Sequence, residues 1–495
     1  MAKSIIIIGA GIAGLAAGCY GQMNGYQTKI FELHELPGGL CTSWKRKGYT
    51  VDGCIQWLVG SNPNNSFYRV WEELGAIQGR EIVYQDEFFR IEGKDGKALI
   101  VYSDADRLEK HLKDLAPEDS KTIEQLMKAV RDSAQIQMPI DTGIIANVKM
   151  FIKMLPVLKY FRRYGKFSIQ QYAKQFQNPY LRETFAQIFD IPDFSMIALI
   201  MSLGWKHTQA AGYPVGGSLD FAQTIEQRYF DLGGEINYKS RVVKILTEQN
   251  RAVGIKLADG SEHRADIVIS AADGHATIFD MLGGQYLNDE IKRNYREMPI
   301  FQPLVHVAFG VNRDFSNEPH AVTFPVPEPL NIAGELHHTV SLRHYCYDPT
   351  VAPQGKSVLA ISFFSNYAYW EKLGYGTEAY RAEKENILSS VISVLEQRFP
   401  GIKDQIEVTD VATPITFERY TGNWQGSMEG WLITPKTMTK RMPKTLPGLE
   451  NLYMIGQWVK PGGGVPTAAI TGRDIIRTIC KGEGKKFRTT LPQSN

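Results

Sequence analysis

Cysteine is scarce in this chain and poorly placed for cross-linking. Its five cysteines stand at positions 19, 41, 54, 346 and 480, no two of them form a C-x-x-C pair, and the odd count leaves no complete disulfide set. A disulfide framework is therefore excluded, and the usage fits a reducing, cytoplasmic setting. Long apolar runs are missing too, none approaching the roughly 20 residues that cross a bilayer. An excess of one charge is lacking: 55 basic against 53 acidic residues leave a net charge of +2, and no nucleic-acid-binding motif accompanies it. His337, His338 and His344 lie close in sequence, but on a strand the first two point to opposite faces and no cysteine joins them at ligand spacing, so no metal site is expected. Internal repeats, low-complexity segments, a catalytic triad and a paired-carboxylate motif are not evident. Met1-Ala2-Lys3-Ser4 runs straight into the apolar residues 5–8, which read as structure and not as a signal-peptide core.

The most informative feature that is present begins there. Ile5-Ile6-Ile7-Ile8 is followed by Gly9, Gly11 and Gly14, a small-residue helix, and a second strand, Thr28-Lys29-Ile30-Phe31, that closes on Glu32. Gly9 permits the tight turn, Gly11 lets the backbone approach a pyrophosphate, and Gly14 lets the helix press on the sheet. The helix N-terminus then offers free N–H groups and a positive dipole end, while the carboxylate can accept from ribose hydroxyls. A glycine-rich turn in an unrelated α/β protein would not explain the acid. Beyond it, Pro37-Gly38-Gly39 would let the chain pass close to a cofactor too long to end at the first turn, which favours FAD over NAD. Near the C-terminus a strand over 451–456 runs into Pro461-Gly462-Gly463-Gly464-Val465-Pro466 and another small-residue helix. Its dipole would stabilise negative charge on a reduced flavin. No second G-x-G-x-x-G appears, so reducing equivalents must leave to oxygen, a quinone or another acceptor, or return to the substrate.

These pieces, with the central Tyr213-Pro214-Val215-Gly216-Gly217-Ser218, resemble the FAD-dependent phytoene desaturase, carotenoid isomerase and retinol saturase superfamily, whose architecture the amine oxidases share. The resemblance implies an α/β fold: a Rossmann-like FAD-binding domain of the GR2 type, with a mostly parallel sheet plus a β-meander, interleaved with an α+β substrate domain. The expected division is 1–84, 206–289 and 436–480 for FAD, 85–205 and 290–435 for substrate, and 481–495 as a basic tail. It implies cofactor contacts at Gly9, Gly11, Ile12, Ala13, Gly14, Glu32, Leu33, Gly38, Gly39, Leu40, Gly456, Gly463, Gly464, Val465 and Pro466, with the backbone at Val243 against the adenine. Two departures stand out. Leu40-Cys41-Thr42 replaces an arginine after the glycine pair, and Gln457 replaces an acid after Ile455-Gly456. No cysteine suited to covalent attachment is evident, so the flavin is expected to be non-covalent.

Pocket candidates come from three places. Asp52-Gly53-Cys54-Ile55-Gln56-Trp57 reads as a strand that presents Gln56 or Trp57; the segment 418–424 offers Tyr420 and Trp424 as an aromatic wall; His207 and Tyr213 flank the central glycine loop and are the candidates for moving a proton. Residues 144–166 carry six cations and no acid among apolar residues. Such a stretch suits either a membrane interface, which would give a lipophilic substrate a dry entrance, or a packed helix with a solvated basic face. The reading is hydride chemistry on a lipophilic polyene or isoprenoid substrate. An amine-oxidase-like oxidase of a smaller amine and a non-catalytic lipid-escort protein are the alternatives.

Overall fold

Consecutive isoleucines place apolar side chains on both faces of a strand, which only a sheet covered on both sides can bury. The computed structural model, which describes residues 2–136, 140 and 157–493, sets that strand at the centre of a five-stranded parallel sheet. The order is Glu235–Asn237, Gln27–Phe31, Ser4–Ile8, Ile267–Ser270, Leu452–Met454, with Ile5 opposite Thr28 on one side and Ile267 on the other. Side chains alternate along a strand. Ile5 and Ile7 therefore pack among the helices Ile12–Met23, Gly217–Asp231 and Gly464–Gly482, while Ile6 and Ile8 face the antiparallel meander Val242–Glu248, Arg251–Leu257, Glu262–Arg264.

The first and last of those helices lie very close. A side chain on Gly472 would begin 2.6 Å from the Ala13 carbonyl oxygen and 2.8 Å from the Ala17 nitrogen, so only glycine admits the approach. A buried ion pair lies next to it: Arg473 Nε is 3.2 Å from Glu73 Oε2, which also accepts from the Tyr20 hydroxyl at 2.8 Å. The tail docks on the same region. Phe487 packs on Tyr20, and Arg228 donates to Thr490.

A second, seven-stranded sheet runs Ile406–Ala412, Leu304–Val311, Ser357–Phe364, Glu335–His344, Ala321–Ile332, Glu87–Glu92, Ala98–Tyr102. Its pairings are antiparallel except that between Ala321–Ile332 and Glu87–Glu92. One face is covered by the helix Glu378–Arg398 through Ile387, Val391 and Leu395. Beside the sheet, Ala105–Leu115, Ser120–Ala134 and Met196–His207 form a helical cluster with its own core.

One expectation needs revision. The segment after Asp52 is not a strand, because Tyr49–Asp52 ends where the Asp52 carboxylate accepts from the Cys54 N–H and from the Ser218 N–H and hydroxyl. The irregular chain resumes pairing only at Leu58–Val59. Of the basic stretch 144–166, residues 144–156 lie outside the described residues. Over 157–164 the chain is helical, with Val157, Tyr160 and Tyr164 in the core and Lys159, Arg162 and Arg163 on the exposed face.

Gly472→Ala is expected to cost about 1–3 kcal/mol despite alanine's better helix propensity. Gly482→Ala, on the same helix with nothing within 4 Å of the added carbon, is expected to cost nothing. Equilibrium urea unfolding of the two variants checks the pair.

Candidate active site

Both glycine loops open into one cavity of about 1190 Å³ that continues to the inner face of the seven-stranded sheet. At one end Gly9 takes φ +98° and donates to the Phe31 carbonyl, which closes the turn. Gly11 caps the first helix without a side-chain acceptor, and a side chain built on it would meet no protein atom nearer than 3.8 Å. The helix therefore presents its first-turn N–H groups to open space, the arrangement that binds phosphate. Gly38 lies alongside, donating to the Ala10 carbonyl at 2.9 Å. Glu32, 6 % exposed, is held by the Ala10 N–H at 2.6 Å and the His34 N–H at 2.8 Å. Burial raises its pKa, and those two bonds act against the rise. A carboxylate has about four acceptor sites, so capacity remains for ribose hydroxyls.

At the other end the C-terminal helix starts at Gly464 with Gly463 as its cap, again with no side-chain acceptor. Gly456, at φ +95°, donates to the Thr471 hydroxyl at 2.9 Å and ties the preceding strand to this helix. Two uncapped helix N-termini, a glycine cradle and a buried acid thus line one groove. That donor set fits a dinucleotide long enough to reach both loops, as FAD is.

Most residues expected to hold the cofactor line this cavity: Gly9, Gly11, Ile12, Ala13, Glu32, Leu33, Gly38, Gly39, Leu40, Gly456, Gly463, Gly464, Val465 and Pro466, as do Gln56 and Trp57. Gly14 stands behind them, its Cα facing the Gly9 carbonyl so closely that a side chain would begin 1.9 Å away. Five assignments are corrected. Val243 is 43 % exposed on the outside of the meander, and it is Val242 that lines the cavity; an irregularity between Val242 and Lys244 shifts the register there. His207 accepts from the Ala105 N–H at 3.2 Å and so belongs to the start of a neighbouring helix. Tyr213 is fully buried away from the cavity, donating to Asp348 at 3.0 Å and fastening the glycine turn, since Asp348 also accepts from the Gly216 N–H. Tyr420 lies on the surface, edge-on to His34. Trp424 stacks on His275 at 4.8 Å, turned away because Asp273 takes its backbone N–H.

The aromatic wall is built elsewhere. Trp57 stacks on Phe189 at 5.9 Å and meets Phe88 edge-on at 4.9 Å, with Phe89 and Phe194 adjoining. Polar groups in the cavity also come from unexpected positions. Glu429 lies against the C-terminal loop, with Oε1 3.7 Å from where a side chain on Gly464 would start. It has no hydrogen-bond partner among the described residues, and burial raises its pKa to about 7. Asp273 is also raised to about 7 by burial, but its oxygens are occupied by the Ala276 and Trp424 N–H groups. His306 pairs through Nδ1 with the Ser362 hydroxyl at 2.9 Å, and burial lowers its pKa to about 4, so the ring is neutral. The one signal for Glu429 and His306 in the sequence is a lone polar residue inside an apolar run, at 428–433 and 304–311.

The chain matches the family described as flavin containing amine oxidoreductase over residues 12–475. It is 25% identical over 486 residues to a chloroplastic prolycopene isomerase of Arabidopsis thaliana, covering 94% of this chain and 81% of that one. It is 24% identical over 504 residues to a neurosporene-forming phytoene desaturase of Rhodobacter capsulatus, covering 96% and 93%. Among solved structures, a cyclohexylamine oxidase from Brevibacterium oxydans superposes with a TM-score of 0.60 at 14% identity over 98% and 100% of the two chains, a likeness of fold.

Because the protein leaves open space at Gly11, Gly11→Val is expected to fold and to lose the yellow flavin band on purification. Circular dichroism and visible absorption together check this; full retention of flavin by the folded variant would contradict the placement of the phosphate site.

Proposed function

The chain belongs to the flavin-containing amine oxidoreductases and is an FAD-dependent oxidoreductase; from that premise we propose that it carries out hydride transfer on a lipophilic polyene or isoprenoid substrate, by desaturation, saturation or isomerisation. The observation that carries this reading is the lining of the cavity, in which Trp57, Phe89, Phe189 and Phe194 share one space with the C-terminal glycine loop. Such a wall suits a long conjugated chain better than a small amine. The relatives named for isomerising prolycopene and desaturating phytoene match along nearly the whole chain, which supports the same choice.

In this reading Gly9, Gly11, Gly14 and Glu32 hold the AMP half of FAD, and Gly39 with residues 463–466 the flavin half, without a covalent link. FAD, when bound, supplies a two-electron acceptor and donor at the hydride level. The surrounding residues orient the chain and keep water out. Glu429 is the residue that accepts or returns the accompanying proton, replacing His207 and Tyr213 in that role: it faces the cavity beside the flavin loop, with no competing partner among the described residues and with a pKa near neutrality. Oxygen or a quinone serves as external acceptor where the net reaction is oxidative. Peripheral contact with a membrane uses the exposed Lys159, Arg162 and Arg163, with Leu158 at 40 % exposure beside them.

Turnover of polyenes in detergent, set against peroxide release with amines, tests the substrate class; amine oxidation alone would overturn it. Glu429 accepts a proton only when ionised, so desaturation should rise with pH through a midpoint near 7. Glu429→Gln should remove that limb and lower kcat by about 10²–10⁴-fold. A pH–rate profile that keeps the limb in the variant would exclude the role.

A further inference from the structure

Among the described residues, the buried Arg473 and Arg228 and the part-buried Arg398 all have partners. Arg473 meets Glu73, Arg398 forms a two-pronged pair with Glu92, and Arg228 donates to Thr490. Arg343 makes no hydrogen bond and no ion pair among the described residues, although it lines the cavity beside Ser341 on the strand Glu335–His344. Burial pulls its guanidinium below the usual range, and the groups that act against this are tyrosines, Tyr345 and Tyr347, not carboxylates. A second cation adjoins it. Lys206 is 8 % exposed, its Nζ 4.5 Å over the Phe88 ring and 5.6 Å over that of Trp57, also without an acceptor among the described residues. Burial first and Arg343 second lower its pKa to about 7. His320 completes the cluster, and burial, Arg343, Lys206 and His344 all oppose its protonation.

The acids nearby are committed elsewhere. Asp348 accepts from Tyr213, Gly216 and Thr350, and Asp52 from Cys54 and Ser218. Asp190 lines the same cavity, but burial alone raises its pKa and no cation acts on it, so it does not neutralise Arg343. Arg343 is part-buried, and a guanidinium drawn part-way out of water without a partner is costly in a folded protein. It is retained where an arriving anion completes it, and its planar fork fits a carboxylate through two parallel hydrogen bonds.

We propose that Arg343, backed by Lys206, binds a carboxylate at the end of the substrate, so that the substrate is an acidic lipid and not a neutral hydrocarbon. This rests on the reading of the cavity as a lipid site and narrows it. The aromatic wall of Trp57 and Phe189 takes the chain, and the polar face of the strand takes the head.

Quenching of tryptophan fluorescence in the holoenzyme tests this, with two matched probe pairs: retinoic acid and retinol, palmitate and hexadecanol. The wild type should bind each acid at least about tenfold more tightly than its alcohol. Arg343→Gln should weaken the acids by about ten- to hundredfold, leave the alcohols within about twofold, and keep flavin content and spectrum unchanged. Arg343→Lys should recover part of the preference. Equal affinity of the wild type for acid and alcohol, an equal loss of both in Arg343→Gln, or loss of flavin from that variant would each overturn the proposal. Arg343-dependent binding of palmitate without retinoid binding would keep the headgroup assignment and reject the polyene. Failure of both pairs to bind would reject the headgroup site itself.

Discussion

The approach of the first helix to the last governs this structure. Residues 13 and 472 are separated by almost the whole chain, yet their backbones lie close enough that a single added carbon would collide. That approach points two uncapped helix N-termini into one cavity, and the helix dipole acts only within about a turn of its end. Were the helices held apart by an ordinary side chain, the two positive ends would no longer serve one ligand. The buried Tyr20–Glu73–Arg473 group adds a directional contact to the same interface. A buried ion pair is a weak source of stability but a strict one for geometry, since it tolerates little displacement.

The two sheets divide the remaining work by how their faces are covered. The parallel sheet is buried on both sides and carries the cofactor turns at the ends of its strands, where open α/β sheets bind ligands. The seven-stranded sheet buries one face under the helix Glu378–Arg398 and gives the other to the cavity. Along it the strict alternation of side chains puts Val305, Val307 and Phe309 into the core and Leu304 and His306 into the cavity. The same parity gathers Thr339, Ser341 and Arg343 on the cavity side. A polar file on an otherwise apolar surface thus follows from periodicity.

Legibility from sequence followed the range of the interactions. The first βαβ unit was readable because Gly9, Gly11, Gly14 and Glu32 act on neighbours within thirty residues, and the C-terminal loop because it repeats the same pattern. In the first meander strand it is Val242 and not Val243 that lines the cavity, since an irregularity lies between Val242 and Lys244 and no composition rule marks it. Tyr213 and Trp424 are aromatic residues beside glycine turns, a local pattern that suggests a pocket. Their direction is set by Asp348 and Asp273, each more than a hundred residues away. Glu429 and Arg343 were beyond reach for a related reason: what distinguishes them is the lack of a partner, which is a property of the assembled fold.

Calorimetric titration of the apoprotein with FAD, FMN and AMP tests most directly whether the two glycine loops grip one molecule. A single FAD site per chain is expected, bound far more tightly than either half, with FMN and AMP each binding weakly and without excluding the other. FMN binding as tightly as FAD would mean that the N-terminal loop contributes nothing, and would contradict that expectation.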